Sequence, residues 1–135
     1  MRILVAEDEP VSRAVLTKIL ASQPENRVTV VEDGAAAWAM LDDPSRSFDV
    51  IFLDLDMPKL NGFALLERIQ RSALLKSMEV VLCTAAKDRP TVVKAVGLGI
   101  RHYLVKPCTE ELVLAKLRQL NPVDSTSAGR TLGGY

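Results

Sequence analysis

The chain has 135 residues, 48% of them hydrophobic, and 17 Lys and Arg balance 17 Asp and Glu. That length and apolar share suit one domain with a sizeable core, and a formal net charge of zero gives no general attraction to nucleic acid or to an anionic membrane. No run approaches the roughly 18 apolar residues of a membrane span, and two cysteines without metal-ligand spacing or a disulfide framework read as reduced thiols of a cytoplasmic protein.

Ile3 to Ala6 reads as a buried strand, too short for the apolar core of a signal peptide and followed at once by acids. Val11, Val15 and Ile19, with Leu16 and Leu20, then mark one face of a helix whose first turn suits Pro10. Val28 to Val31 is a second strand. Asp33 can cap a helix holding Ala35 to Leu41, which Asp42-Asp43-Pro44 ends. Val50 to Leu53 is a third strand, and Leu65, Leu66, Ile69 and Ala73 stripe a helix that follows Gly62. Val80 to Cys83 is a fourth strand, Thr91 to Leu98 a short helix weakened or ended by Gly97 and Gly99, and Tyr103 to Val105 a fifth strand. Thr109 caps a last helix with Glu110 and Glu111 in its first turn and Leu112, Val113, Leu117 and Leu120 on its apolar side.

Strands alternating with helices imply an α/β fold: right-handed βαβ units and a parallel sheet covered on both faces, which also explains strands that are apolar almost throughout. The domain is expected over residues 1–120. From Asn121 the pattern stops, and 121–135, rich in Ser, Thr and Gly, is expected to be a flexible tail or the stub of a linker.

The first strand runs into Glu7-Asp8, the third into Asp54, the fourth into Thr84 and the fifth into Lys106-Pro107. In a parallel sheet these positions share the carboxyl edge, where open α/β sheets bind ligands. Three carboxylates brought together repel one another unless a cation sits among them, and an all-oxygen set suits Mg²⁺. A central carboxylate can attack phosphorus, with a Lys ammonium neutralising the transferring oxygens and the Thr84 hydroxyl donating to one of them. Taken singly these residues have plainer uses: Asp8 as a helix cap near Pro10, Thr84 as a turn hydroxyl, Tyr103 as an edge aromatic, His102 as a surface residue, Cys83 as core, Cys108 at a helix start, Trp38 and Met40 in packing.

Glu7-Asp8, the run Asp54-Leu-Asp-Met-Pro-Lys-Leu-Asn-Gly62, Thr84-Ala85 and Tyr103-Leu-Val-Lys106-Pro107 together resemble the receiver domain of two-component response regulators, over residues 1 to about 120. The resemblance implies a flavodoxin-like (βα)5 three-layer sandwich with a parallel sheet of order 2-1-3-4-5. It implies Asp54 as phosphoacceptor; Mg²⁺ bound by Asp8, by Asp54, by Glu7 through a water and by the backbone carbonyl of Asp56; Lys106 and Thr84 as phosphoryl-binding groups; Thr84 and Tyr103 as switch residues; and Pro107 as a cis-proline. The partners implied are a sensor histidine kinase or a phosphotransfer protein, and a possible homodimer through the fourth helix, fifth strand and fifth helix. The segment itself is expected to bind neither nucleic acid nor membrane, and to accept and slowly lose its own phosphoryl group without turning over a substrate. It departs from the family's usual pattern in Glu7, where Asp is more common, in the additional acid Asp56, and in Ile100-Arg101-His102 before Tyr103.

Two other functions compete. Ile51 to Asp56 also resembles the nucleophile strand of haloacid-dehalogenase-type phosphatases, with Asp56 as general acid, but that family places its further acids after the nucleophile, and Glu7-Asp8 precede it. An unphosphorylated interaction module on the same fold would have no use for an intact set of acids, acceptor and Lys.

Overall fold

A computed structural model of the chain describes residues 1–55, 61–75, 77–85 and 89–120. The expected tail 121–135 and the positions of Asp56, Met57 and Pro58 lie outside the described residues.

The chain alternates strictly: β1 (Arg2–Ala6), α1 (Pro10–Ala21), β2 (Arg27–Val31), α2 (Gly34–Leu41), β3 (Val50–Asp54), α3 (Gly62–Arg71), β4 (Glu79–Ala85), α4 (Arg89–Gly97), β5 (His102–Lys106) and α5 (Glu110–Leu120). Every strand pair is parallel, and the sheet order is β2-β1-β3-β4-β5, the flavodoxin-like order that the resemblance implies. Side chains alternate across a strand, so the central strands β1, β3 and β4 each feed two cores. Ile3, Val5, Val50, Phe52, Val81 and Leu104 pack with Leu16, Leu20, Val113 and Leu117 from α1 and α5. Leu4, Ala6, Ile51, Leu53 and Leu82 pack with Ala37, Leu41, Leu65, Leu66 and Ile69 from α2 and α3 and with Ala95 from α4. Trp38 and Met40 pack against that second core as expected.

Asp33 caps α2 by accepting the Ala36 amide at 2.7 Å, and Thr109 caps α5 by accepting the Leu112 amide at 3.2 Å. Gly99 takes a φ of 94°, a conformation easy only for glycine, just past the end of α4.

Several boundaries and faces differ from the sequence reading. Val11 and Val15 are 68% and 44% exposed: α1 buries only Leu16, Ile19 and Leu20, further along the helix. α3 stops at Arg71, where Ser72 turns extended at ψ 121°, so Ala73 lies beyond the helix and is exposed. Leu112 is exposed, leaving Val113 and Leu117 as the buried residues of α5. β4 runs past Cys83 because Thr84 and Ala85 still find partners in Val105 and Lys106 of β5, and the ladder continues while both strands do.

Candidate functional site

Four of the polar residues expected at the carboxyl edge meet there. Oxygens of Glu7, Asp8 and Asp54 all lie within 4.8 Å of one another. Asp54 ends β3 and is 8% exposed, and Glu7, directly after β1, is 2% exposed. Lys106 ends β5 and places its Nζ 2.6 Å from Glu7 Oε1 and 3.3 Å from Asp54 Oδ2. Three carboxylates therefore surround one ammonium, and the set is formally short of positive charge.

Local structure fixes the acids in place. The amides of Ser12 and Val11 donate to the Glu9 carboxylate at 2.7 and 3.2 Å, so Glu9 caps α1. That use of Glu9 removes the plain alternative for Asp8 as a helix cap. The Glu9 amide donates to Glu7 Oε2 at 3.1 Å, and Arg13 Nη1 donates to the backbone carbonyls of both Glu7 and Asp8 at 3.2 Å. Arg13 and Glu9 escaped the sequence reading. An Arg one turn into a helix after an acid pair is the signal that could have found Arg13.

Burial, the charge of Asp54 and a hydrogen bond with it hold the Asp8 carboxyl above its ordinary value. Burial pulls the Lys106 ammonium down, but its hydrogen bond to Glu7 and the charges of Asp54 and Glu7 outweigh burial and leave it raised. An all-carboxylate donor set of three close oxygens fits a hard divalent cation. The remaining expected contributor, the Asp56 carbonyl, lies outside the described residues.

Thr84 is buried on β4, one position beyond Cys83, the residue opposite Asp54 in the β3–β4 register. The Lys106–Pro107 peptide bond is cis. Cys83 and Cys108 line one cavity; the interaction with the Cys108 thiol and burial push the Cys83 thiol well up, and the same interaction lowers Cys108. Nothing in the local sequence marks that proximity.

The profile of the response regulator receiver domain matches residues 3–118. The chain belongs to the response regulator receiver family. It is 27% identical over 117 residues to the chemotaxis protein CheY1 of Helicobacter pylori, covering 87% of this chain and 94% of that protein. It is 32% identical over 107 residues to a two-component response regulator-like protein of Arabidopsis thaliana, APRR9, covering 79% of this chain and only 23% of that protein. Among solved structures, the receiver domain of a sensor histidine kinase from Pseudomonas aeruginosa, with a magnesium ion coordinated in its active-site cleft, superposes with a TM-score of 0.79 at 26% identity, over 88% of this chain and 95% of that one. The chain thus spans nearly all of some relatives and about a quarter of others. The match runs through Ile51 to Asp54 and on across the rest of the sheet, so the likeness of this strand to the phosphatase nucleophile strand is local.

In this receiver domain Val93 and Val96 on α4, Tyr103 on β5 and Leu112 on α5 are 64%, 57%, 47% and 47% exposed. No helix among the described residues is long and apolar enough to cross a membrane.

Proposed function

We propose that residues 1–120 act as a signalling switch that accepts a phosphoryl group on Asp54 from a phosphohistidine of a sensor kinase or phosphotransfer protein. The observation that carries this reading is the Lys106 ammonium bridging Glu7 and Asp54 inside a cluster of three carboxylates at the carboxyl edge of the sheet.

An Asp54 carboxylate oxygen attacks phosphorus, the bond from phosphorus to the donor nitrogen breaks, and the imidazole leaves with a proton from solvent. Lys106 is close enough to Asp54, at 3.3 Å, to pair with the oxygens of the group that arrives. Thr84, on the adjacent strand, supplies a hydroxyl donor. Asp8 and Asp54, Glu7 through a water, and the Asp56 carbonyl would hold Mg²⁺, which supplies positive charge beside the carboxylates and the transferring oxygens. The domain carries this group and slowly loses it, rather than turning over a substrate. The Asp54 phosphate brings about −1.5 to −2 charges; it draws Thr84 in, and Tyr103, 47% exposed at rest, turns inward. The α4-β5-α5 face then favours a different partner or a second copy of the chain, as a shift between two existing populations. The domain works in the cytoplasm.

Incubation with acetyl phosphate and Mg²⁺ followed by intact-mass measurement should show one added phosphoryl group, absent in Asp54→Ala. An adduct that persists in Asp54→Ala, or no adduct from acetyl phosphate or a phosphohistidine donor, overturns the reading.

A further inference from the structure

Cys83 and Cys108 stand beside the acid cluster and take no part in phosphoryl transfer. Buried cysteines are usually inert hydrophobes, and Cys83 alone fits that description, sealed among Val5, Phe52, Val81 and Leu104. Cys108 does not. It is half-buried, comes two positions after Lys106, packs on the same core as Cys83 and lines the same cavity. The parallel register sets Leu104 opposite Cys83, and the chain after Lys106–Pro107 brings Cys108 to that cavity as well.

Both cysteines line one cavity of about 110 Å³ between the first turns of α1, at Val11, Ser12 and Val15, and the Lys106–Cys108 segment. A water takes up about 30 Å³ of liquid, so the cavity admits a molecule the size of hydrogen peroxide. Both cysteines are free thiols.

We propose that Cys83 and Cys108 form a redox modification site, which hydrogen peroxide converts to a reversible disulfide that fastens the Lys106–Cys108 segment to β4. Cys108, the more accessible sulfur, attacks one peroxide oxygen as its thiolate. The O–O bond breaks, hydroxide leaves, and with the proton given up by Cys108 it becomes water; Cys108 is left as a sulfenic acid. The Cys83 sulfur then attacks the sulfenyl sulfur. The S–S bond forms, the S–O bond breaks, and the departing hydroxide takes the Cys83 proton as a second water. In total, two thiols lose two electrons and one peroxide becomes two waters. The site stands on the placement of the thiols and does not depend on phosphoryl acceptance at Asp54.

The test treats the folded full-length chain with hydrogen peroxide, alkylates the remaining thiols and maps the peptides by mass spectrometry without reductant. Amide hydrogen exchange across Lys106–Thr109 is followed in parallel. The expected result is an intrachain cross-link between the Cys83 and Cys108 peptides with the loss of two hydrogen masses, slower exchange over Lys106–Thr109, and reversal of both by dithiothreitol. Cys108→Ser should abolish the cross-link, and Cys83→Ser should leave a Cys108 sulfenic acid that dimedone traps. Should Cys83→Ser fail to fold, Cys108→Ser and the exchange measurement decide the matter. Cys108 sulfinic acid with Cys83 still alkylatable, cross-links only between chains, or a disulfide that leaves the exchange unchanged would overturn the proposal.

Discussion

At the amino edge of the sheet, Glu79 holds Arg101 at 2.8 Å and lies 3.5 Å from His102, and Asp49 accepts the Arg2 amide at 2.7 Å. At the carboxyl edge, three carboxylates crowd one ammonium. Among the described residues the amino edge lines a cavity of about 300 Å³, at Leu66, Ile69, Gln70 and Met78 among others, against about 110 Å³ beside Lys106. Cavity volume does not single out the acid cluster. What marks the carboxyl edge is charge brought together, partly out of water, without enough opposite charge to match it. The ion pairs at the other edge are partly exposed and close to balance.

Four substitutions break or sharpen this contrast. Lys106→Ala should have the largest effect. Phosphoryl uptake from acetyl phosphate should slow by about 10²-fold or more, as when one charged donor is removed from a transfer site. Buried Glu7 would lose its cation, at a cost of about 2 kcal/mol in urea unfolding, and added Mg²⁺ should recover part of that. Gly62→Ala comes next. A Cβ there would fall on the Leu55 Cα and within 2.8 Å of the Asp54 carbonyl oxygen, both backbone atoms that cannot turn aside. A loss of about 2 to 3 kcal/mol is expected, with weaker Mg²⁺ binding because the end of β3 is displaced.

Asp8→Asn should separate stability from cation binding. The raised pKa of Asp8 means that its contribution to stability is fully present below the ordinary value of 3.8 and is lost as pH rises through the higher folded value. At neutral pH without metal, the Asn variant should be more stable by up to about 1 kcal/mol, solvent screening keeping the gain small. That difference should shrink as pH falls toward 3.8, and Mg²⁺ affinity should drop about tenfold; thermal melts across pH, with and without Mg²⁺, read all three. Arg101→Ala, at the opposite edge, should cost less than about 1 kcal/mol, because its side chain is 73% exposed, and should leave phosphoryl uptake unchanged.

The strands and their order along the chain were legible because strands buried on both faces leave unbroken apolar runs. Residues such as Glu7, Asp54 and Lys106 showed themselves by ending those runs. Side-chain facing was harder to read. Val11 and Val15 obey the helical period of α1 and are still exposed, because periodicity marks an apolar stripe without saying how much of it the rest of the fold covers. Leu112 stands exposed on α5 in the same way. Glu9 was hidden as a cap because Asp8, one residue earlier, has the more usual capping side chain. The proximity of Cys83 and Cys108 depends on the register of two parallel strands and on the path of the chain after Pro107, and neither leaves a mark in local sequence.

Glu7 and Lys106 are already engaged at 2.6 Å. A phosphoryl group on Asp54 would compete for an ammonium that has a tenant, so the arrival exchanges one strong attachment for another, and only the difference is left to move the domain. A latch held under counter-tension behaves in this way: neither position is deep, and a light load on a distant face can settle which one is held.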